Sequence, residues 1–177
     1  MVLGEDGFKM SKSRDNVIGP EDVMGPYGVD ALRQWAAAGS STGQDILFNW
    51  NDVVAASRFQ TKMWNIVRFS LSQIQKESPV AKTDAPSTLI DRWMLANLSK
   101  TVADVTDAME SYLFDKGLKI VRDFAWNIMA DEYLEFVKGR LYSEEPERAG
   151  AVYTLETTLD AICTMLSPYI PFFAQEC

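Results

Sequence analysis

Residues 51–76, NDVVAASRFQTKMWNIVRFSLSQIQK, decide the fold, because they read as one long helix with two different faces. At 100° per residue its apolar side chains fall on one side, which we expect to be buried. This buried face consists of Ala56, Phe59, Met63, Ile66, Val67, Ser70 and Ile74. Asn51 or Asp52 is expected to cap the helix, and residues 78–87, with two prolines, read as the loop after it.

Three further long helices are predicted downstream. The first has apolar side chains at helical steps of three and four, namely Met94, Leu98, Val102, Val105, Met109 and Tyr112. The others are predicted over residues 115–142 and 149–166, separated by an acidic turn at residues 144–147. Their aromatic residues are expected in the core or between helices: Trp93, Trp126, Tyr133 and Phe136. Long helices joined by short polar loops predict a mainly α fold, an antiparallel helical bundle.

Residues 1–50 have a different pattern, in which short apolar pieces alternate with Gly, Pro and Ser. This pattern indicates an irregular α/β segment of loops, short strands and small helices, with one helix over residues 29–38. We therefore predict two domains, residues 1–50 and the helical bundle of residues 51–177.

Composition excludes several classes of protein. At 47% apolar residues the chain can bury a substantial core. It has no apolar run long enough to span a bilayer, and its first residues are acidic rather than signal-like, which indicates a cytoplasmic protein without a membrane partner.

The chain has no histidine and two cysteines, so we expect no bound metal and two unpaired thiols, with Cys163 in a core. The carboxylates of Asp131, Glu132 and Glu135 are interpreted as solvated or bridging two helices.

The net charge of −8 is unevenly distributed. The first 80 residues carry eight basic and nine acidic side chains, and the remainder carries nine basic and sixteen acidic ones. Binding of a polyanion is therefore expected to favour the first half of the chain.

Residues 9–13, Lys9, Met10, Ser11, Lys12 and Ser13, suit the binding of a triphosphate. Two lysines three positions apart bring compact cations to phosphate oxygens, and serine hydroxyls and loop amides orient those oxygens. The pentapeptide alone leaves open a second interpretation, a solvated basic loop.

The polar face of the helix over residues 51–76 suggests a second kind of ligand. It comprises Arg58, Thr61, Lys62, Asn65, Arg68, Phe69 and Ser72. An aromatic ring among cations and amides suits a single-stranded base stacked on Phe69, with phosphates or base edges at Lys62, Asn65 and Arg68. The alternative is that Phe69 packs against a neighbouring helix and that the charges keep this face soluble.

Residues 9–20, KMSKSRDNVIGP, and 27–35, YGVDALRQW, closely resemble the KMSKS signature of class I aminoacyl-tRNA synthetases and the stretch that follows it in the valine, isoleucine and leucine group. The resemblance extends over essentially the whole chain. Residues 62–69, KMWNIVRF, are similar to the valine branch, and the isoleucine branch is the alternative. Asp15 stands where the family usually has Gly, so Asp15 must adopt the turn there. Residues 167–172, SPYIPF, also depart from the family pattern.

The resemblance implies ATP as a substrate, with Mg²⁺ in the parent enzyme, and Lys9 and Lys12 as the catalytic cations of a phosphate loop formed by residues 9–13. It implies that the bundle binds the anticodon stem-loop of tRNA(Val) through Arg58, Lys62, Asn65, Arg68 and Phe69. It also implies that Asp30 and Arg33 link the loop region to the bundle.

In this family a His-x-Gly-His motif precedes the KMSKS loop by hundreds of residues, whereas here the loop begins at residue 9. We therefore expect a fragment that lacks its N-terminal catalytic portion, is truncated at its C-terminus, and is inactive in isolation. The remaining alternative is a free-standing helical interaction module.

Overall fold

The computed structural model describes residues 1–39, 43–74, 88–143 and 147–177, and most of them are helical. The elements are, in order, β1 (Val2–Leu3), a 3₁₀ turn (Lys12–Arg14), α1 (Pro20–Tyr27), α2 (Val29–Gly39), β2 (Ile46–Leu47), α3 (Trp50–Ile74), α4 (Leu89–Glu110), α5 (Phe114–Asp123), a π-helical segment (Phe124–Tyr133), α6 (Leu134–Leu141), α7 (Glu147–Leu166) and α8 (Pro171–Glu176). The mainly α prediction is confirmed.

The first part of the chain forms a small core of its own. Strand β1 pairs in parallel with β2, with Val2 opposite Ile46 and Leu3 opposite Leu47. The buried side chains of this core are Val23, Ala31, Trp35, Phe48, Val53 and Ala56. Because Val53 and Ala56 belong to the first turns of α3, the N-terminal elements pack directly on the start of the long helix. The short helix over residues 29–38 is confirmed as α2.

A larger core lies between the remaining helices. Helix α3 packs against α7, and α4 packs against α5 and α7. The predicted buried face of α3 is confirmed from Ala56 to Ser70, and Ile74 is half-buried. Burial of these apolar side chains stabilises the packing of α3 on the other helices.

The residue that caps the start of α3 is not one of the two predicted, Asn51 and Asp52. The helix begins at Trp50, and the Oδ1 atom of Asn49 accepts a hydrogen bond from the backbone N–H of Asn51 at 2.9 Å. Asn49 therefore satisfies a free N–H of the first turn, and the predicted caps Asn51 and Asp52 are wrong. The predicted helix end near residue 76, the loop over residues 78–87 and most of the turn over residues 144–147 lie outside the described residues.

The apolar stripe of α4 is only partly as predicted. Met94, Leu98 and Val105 are buried, but Val102 is 39% exposed and Tyr112 is 73% exposed. Thr101 and Ala108 occupy the buried positions in the second half of the helix. Tyr112 lies beyond the end of α4 and has a φ of 58°, because the chain turns there into α5.

The single helix predicted over residues 115–142 is a continuous succession of α5, the π-helical segment and α6. A π turn holds more residues than an α turn, so the side chains beyond it are rotated relative to an α-helical pattern. Tyr133 is fully buried, as predicted. Phe136 is 59% exposed and so is not in the core, but its ring meets that of Trp93 on α4 edge-on, with the centroids 6.4 Å apart, which confirms the predicted position between helices. Trp126 is 36% exposed and lies against the ring of Phe59 on α3, with the ring centroids 6.4 Å apart.

Helix α2 is tied to the segment between α7 and α8. Arg33 Nε donates to the carbonyl of Tyr169 at 3.1 Å, and Arg33 Nη2 donates to the carbonyl of Pro168 at 2.8 Å. The carboxylate of Asp30 accepts from the backbone N–H of Phe173 at 2.7 Å. These contacts confirm that Asp30 and Arg33 link the N-terminal elements to the C-terminal helices.

None of the described helices is both long enough and apolar enough to cross a membrane. Cys163 and Cys177 are free thiols, as expected, but both are half-buried, so the predicted core position of Cys163 is wrong. A hydrogen bond from the Cys177 thiol lowers the pKa of Cys163 despite its partial burial.

Candidate functional site

The loop of residues 9–13 follows a tight hairpin. The N–H of Gly4 donates to the carbonyl of Phe8 at 2.8 Å, and Leu3 forms an antiparallel bridge with Lys9. Gly7 has a φ of 75°, which a residue without a Cβ adopts at little cost. Strand β1 therefore fixes the position from which the loop departs.

The side chain of Asn16 closes the loop from its other end. Its Oδ1 accepts from the N–H of Ser11 at 2.8 Å. Its Nδ2 lies 3.1 Å from both carboxylate oxygens of Asp6 and 3.3 Å from the carbonyl oxygen of Lys9. One amide thus connects the hairpin to both sides of Met10.

The centre of the loop is a short 3₁₀ turn over Lys12–Arg14. The hydroxyls of Ser11 and Ser13 are hydrogen-bonded to each other at 2.7 Å. Asp15 ends the turn in the left-handed conformation, with φ 57° and ψ 29°. This is the backbone that the sequence required of Asp15 in place of glycine, and an aspartate tolerates it at a modest cost.

The two lysines of residues 9–13 point to solvent. Lys9 and Lys12 are exposed, and within the described part of the chain neither ammonium group has an ion-pair partner. Met10, between them, is half-buried against the small N-terminal core. The loop therefore presents two free cations and two hydroxyls from an anchored backbone, which is a suitable surface for an oxyanion.

The acidic residue beside the loop is held in its charged form. The backbone N–H of Phe8 and the amide of Asn16 both donate to Asp6, and these hydrogen bonds lower the pKa of its carboxyl group. A negative Asp6 is therefore available to the Asn16 amide at neutral pH.

The polar face of α3 borders a shallow groove of about 560 Å³. Its lining comprises Arg58, Thr61, Lys62, Asn65, Ile66 and Phe69 from α3, with Leu134 and Lys138 from α6. The structure thus brings four of the five predicted RNA-contacting residues to one groove. Arg68 is exposed on the same helix but does not line the groove.

Lys62 is the most constrained cation of this face. Its Nζ forms an ion pair with Asp131 at 2.7 Å and lies 3.6 Å from the centre of the Trp126 ring. Both contacts join α3 to the π-helical segment, so the bridging interpretation of Asp131 is confirmed. Arg58 and Arg68, by contrast, have no ion-pair partner in the described ranges.

Phe69 has features of both predicted roles, a ring packed against a neighbouring helix and an accessible ring on which a base could stack. Its ring is half-buried, packs on the large core, and meets the ring of Tyr142 edge-on, with the centroids 6.4 Å apart. Its remaining surface borders the groove. The ring is therefore fixed in position and still accessible, as a stacking platform requires.

Sequence reasoning missed the α6 side of the groove and the role of Asn16. Asp131, Leu134 and Lys138 follow each other at steps of three and four, which indicates one helical face. That this face opposes α3 depends on a contact across 69 positions of sequence. No group of three or more Cys, Asp or Glu side chains that could hold a metal ion occurs among the described residues.

Two family models match separate parts of the chain. A model of class I tRNA synthetases (I, L, M and V) matches residues 1–49, and a model of the anticodon-binding domain of tRNA ligase matches residues 91–177. The valine–tRNA ligase of Methanosarcina acetivorans is 53% identical over 99% of the chain, and that of Archaeoglobus fulgidus is 51% identical over 100% of it. The chain belongs to the class I tRNA synthetases.

The chain spans about a fifth of the length of these curated relatives, 21% and 20% respectively. The fold also resembles that of a class I synthetase crystallised with its RNA, the leucyl-tRNA synthetase of Agrobacterium radiobacter K84 in a ternary complex with tRNA and LeuAMS. The TM-score is 0.77 at 19% identity, over 99% of this chain and 20% of that one. At this identity the likeness concerns the fold alone.

Proposed function

We propose that this chain acts as part of a cytoplasmic valine–tRNA ligase, which joins valine to tRNA(Val) through an aminoacyl-adenylate made from ATP. Identity of about one half to valine-specific relatives along the whole chain supports valine over isoleucine. The alignment of 99% of the chain within much longer ligases also disfavours a free-standing interaction module.

The observation that carries the proposal is the pair of exposed ammonium groups of Lys9 and Lys12 on an anchored loop, neither of which has an ion-pair partner among the residues that the structure describes. When the valine carboxylate attacks the α-phosphate of ATP, negative charge builds up on the departing pyrophosphate. Fixed cations stabilise that charge more in the transition state than in the ground state, and so lower the barrier. Lys12, and to a lesser degree Lys9, have this role, while Ser11 and Ser13 orient the phosphate oxygens.

The nucleophile in this step belongs to the substrate, so the chain needs no covalent catalyst and no general base. Mg²⁺ would accompany ATP, and the described residues offer no cluster of ligands for it. The N-terminal catalytic portion of the relatives would supply the rest of the ATP site, and residues 1–177 alone are therefore expected to be inactive.

The groove between α3 and α6 is proposed to bind the anticodon stem-loop. The ring of Phe69 stacks a base, while Arg58, Lys62, Asn65 and Arg68 contact phosphates or base edges. In this proposal residues 1–50 form the end of the catalytic domain, and residues 51–177 form an antiparallel bundle of the anticodon-binding type. The division between the two cores near the start of α3 supports that boundary.

Valine-dependent exchange of pyrophosphate into ATP by the complete protein tests the proposal. We expect activity with valine, little with isoleucine, and a fall of about 100-fold for Lys12→Ala, as for other donors to a developing anion. Lys100→Ala, which removes an exposed lysine of α4, is the matched control and should leave the rate unchanged. Exchange that is absent with valine, or equal in the Lys12→Ala variant, contradicts the proposal.

A further inference from the structure

We propose that Asn16 is a positioning residue of the phosphate loop, whose side-chain amide holds Lys9 and Lys12 in the geometry that binds the leaving phosphates. The catalytic part of this inference rests on the proposed function. We call the set of contacts around Asn16 the amide clamp, which comprises the Asn16 side chain, the Asp6 carboxylate, the Lys9 carbonyl and the Ser11 N–H.

The clamp uses both ends of the Asn16 amide at once. The oxygen accepts from Ser11 at 2.8 Å, and the nitrogen donates towards the Asp6 carboxylate at 3.1 Å and the Lys9 carbonyl at 3.3 Å. The Lys9 and Ser11 contacts fix the backbone on both sides of Met10. The directions in which the side chains of Lys9 and Lys12 leave the loop therefore depend on the Asn16 side chain, together with the bridge between Leu3 and Lys9.

Only an amide of this length fits the set of partners. An aspartate at position 16 could still accept from Ser11, but it could not donate to Lys9 and would face the carboxylate of Asp6. An alanine could reach none of the three partners. The donor and the acceptor are both required, and asparagine supplies them from one rigid planar group.

The neighbouring backbone shows that the clamp is closely packed. Gly4 is buried, and a Cβ placed on it would lie 3.0 Å from Asp6 Oδ1, 3.1 Å from the Asn16 carbonyl oxygen and 3.2 Å from Asn16 Nδ2. A side chain at position 4 would therefore push the clamp apart. Asp6 is itself fixed, because the N–H of Phe8 donates to its Oδ1 at 3.0 Å.

Loss of the clamp should affect catalysis more than folding. The loop is exposed and buries little apolar surface, so its loosening removes little stability. A displacement of about 1 Å of a catalytic group lowers a rate by about 100-fold. The expected signature is a lower kcat for pyrophosphate exchange, an unchanged KM for valine, and a nearly unchanged Tm.

The decisive experiment exchanges the two partners in the complete protein. Asn16→Asp should lower kcat for valine-dependent exchange by about 100-fold. The double variant Asp6→Asn with Asn16→Asp should recover about tenfold of this loss, because the new amide at position 6 can donate to the new carboxylate at position 16. The rest of the loss should remain, since the contact with the Lys9 carbonyl is not restored. Asn97→Asp, the same change on α4, is the control and should behave as wild type. Full activity of Asn16→Asp, or no recovery in the double variant, overturns the proposal.

A second measurement does not depend on catalysis. Trypsin cleaves after Lys9, Lys12 and Arg14, and cleavage requires the loop to open. Native-state cleavage at these positions should be about tenfold faster in Asn16→Asp than in Asn97→Asp, and equal rates overturn the clamp. If the wild type lacks valine-dependent exchange but the cleavage rates differ as expected, the proposed function fails and the clamp stands.

Discussion

Arg140 of α6 and Asp91 of α4 form a bidentate ion pair, in which Nη2 lies 2.7 Å from Oδ2 and Nη1 lies 3.1 Å from Oδ1. The Asp91 side chain is fully buried. The hydroxyl of Tyr133 donates to Oδ1 at 2.9 Å, and that of Thr88 donates to Oδ2 at 3.0 Å. Because Thr88 is the N-cap of α4, this pair joins the start of α4 to the helices that border the groove.

Arg140→Ala should lower the free energy of unfolding by about 3–5 kcal/mol, since it leaves a buried carboxylate without its counter-ion. The control is Lys138→Ala on the same helix, which breaks an exposed ion pair with Glu135 and should cost about 0–1 kcal/mol. Urea denaturation at neutral pH measures both changes. If the two variants lose similar amounts of unfolding free energy, the buried Asp91 carboxylate does not need Arg140 as its counter-ion.

The same carboxylate predicts an acid sensitivity. Burial raises the pKa of Asp91, but hydrogen bonds from Arg140, Thr88 and Tyr133 outweigh burial, so the pKa lies below its ordinary value. A lowered pKa means that the ionised form stabilises the fold above about pH 4 and that this stabilisation is lost as the pH falls further. The stability difference between the wild type and Asp91→Asn should therefore be constant from pH 7 to 5 and shrink below pH 4. A difference that does not change with pH down to pH 3 would contradict this.

Phe69→Ala in the complete protein should weaken tRNA(Val) binding by about 1–3 kcal/mol, the usual effect of losing one stacked base. Valine activation should not change. Phe136→Ala removes an exposed ring outside the groove and is the matched control. If Phe69→Ala lowers the Tm but leaves tRNA affinity intact, the ring serves only the core.

The cations of α3 should differ in their effect on salt dependence. Arg58→Ala and Arg68→Ala should each lower the slope of log affinity against log salt by about 0.7, the value for one single-strand phosphate contact. Lys62 is already paired, so Asp131→Asn should release it and strengthen binding at low salt. Filter binding of tRNA between 50 and 200 mM salt, about the range over which such contacts are usually compared, measures these effects. If the slope of log affinity against log salt is the same in wild type and Arg58→Ala, Arg58 does not contact a phosphate of the tRNA.

Periodicity predicted the helices best where they stay straight and α-helical. The buried face of α3 was predicted because its side chains repeat regularly from Ala56 to Ser70. Steps of three and four residues predicted that Val102 and Tyr112 lie on the buried side of α4. In the structure Thr101 and Ala108 are buried instead, Val102 faces solvent, and the helix ends before Tyr112. The π-helical segment was not predicted, because π-helices are rare and a regular α-helical pattern was assumed.

The parts of the candidate site that come from neighbouring positions in the sequence could be predicted. Residues 9–13 form a contiguous loop, and the polar face of α3 follows from one helical pattern. The contacts that constrain these residues come from elsewhere. Lys62 meets Asp131 and Trp126 across long stretches of sequence, and the groove has a second wall only because α6 lies beside α3.

The link between α2 and residues 168–173, at the start of α8, has an evolutionary consequence. Asp30 and Arg33 bind main-chain atoms of residues 168, 169 and 173, and no side chain there takes part. Mutations in this segment can therefore accumulate without breaking the link, provided that position 173 keeps its N–H and so is never proline. Selection for this link should act on the side chains of Asp30 and Arg33, whereas Tyr169 and Ile170 are constrained separately by their burial in the large core.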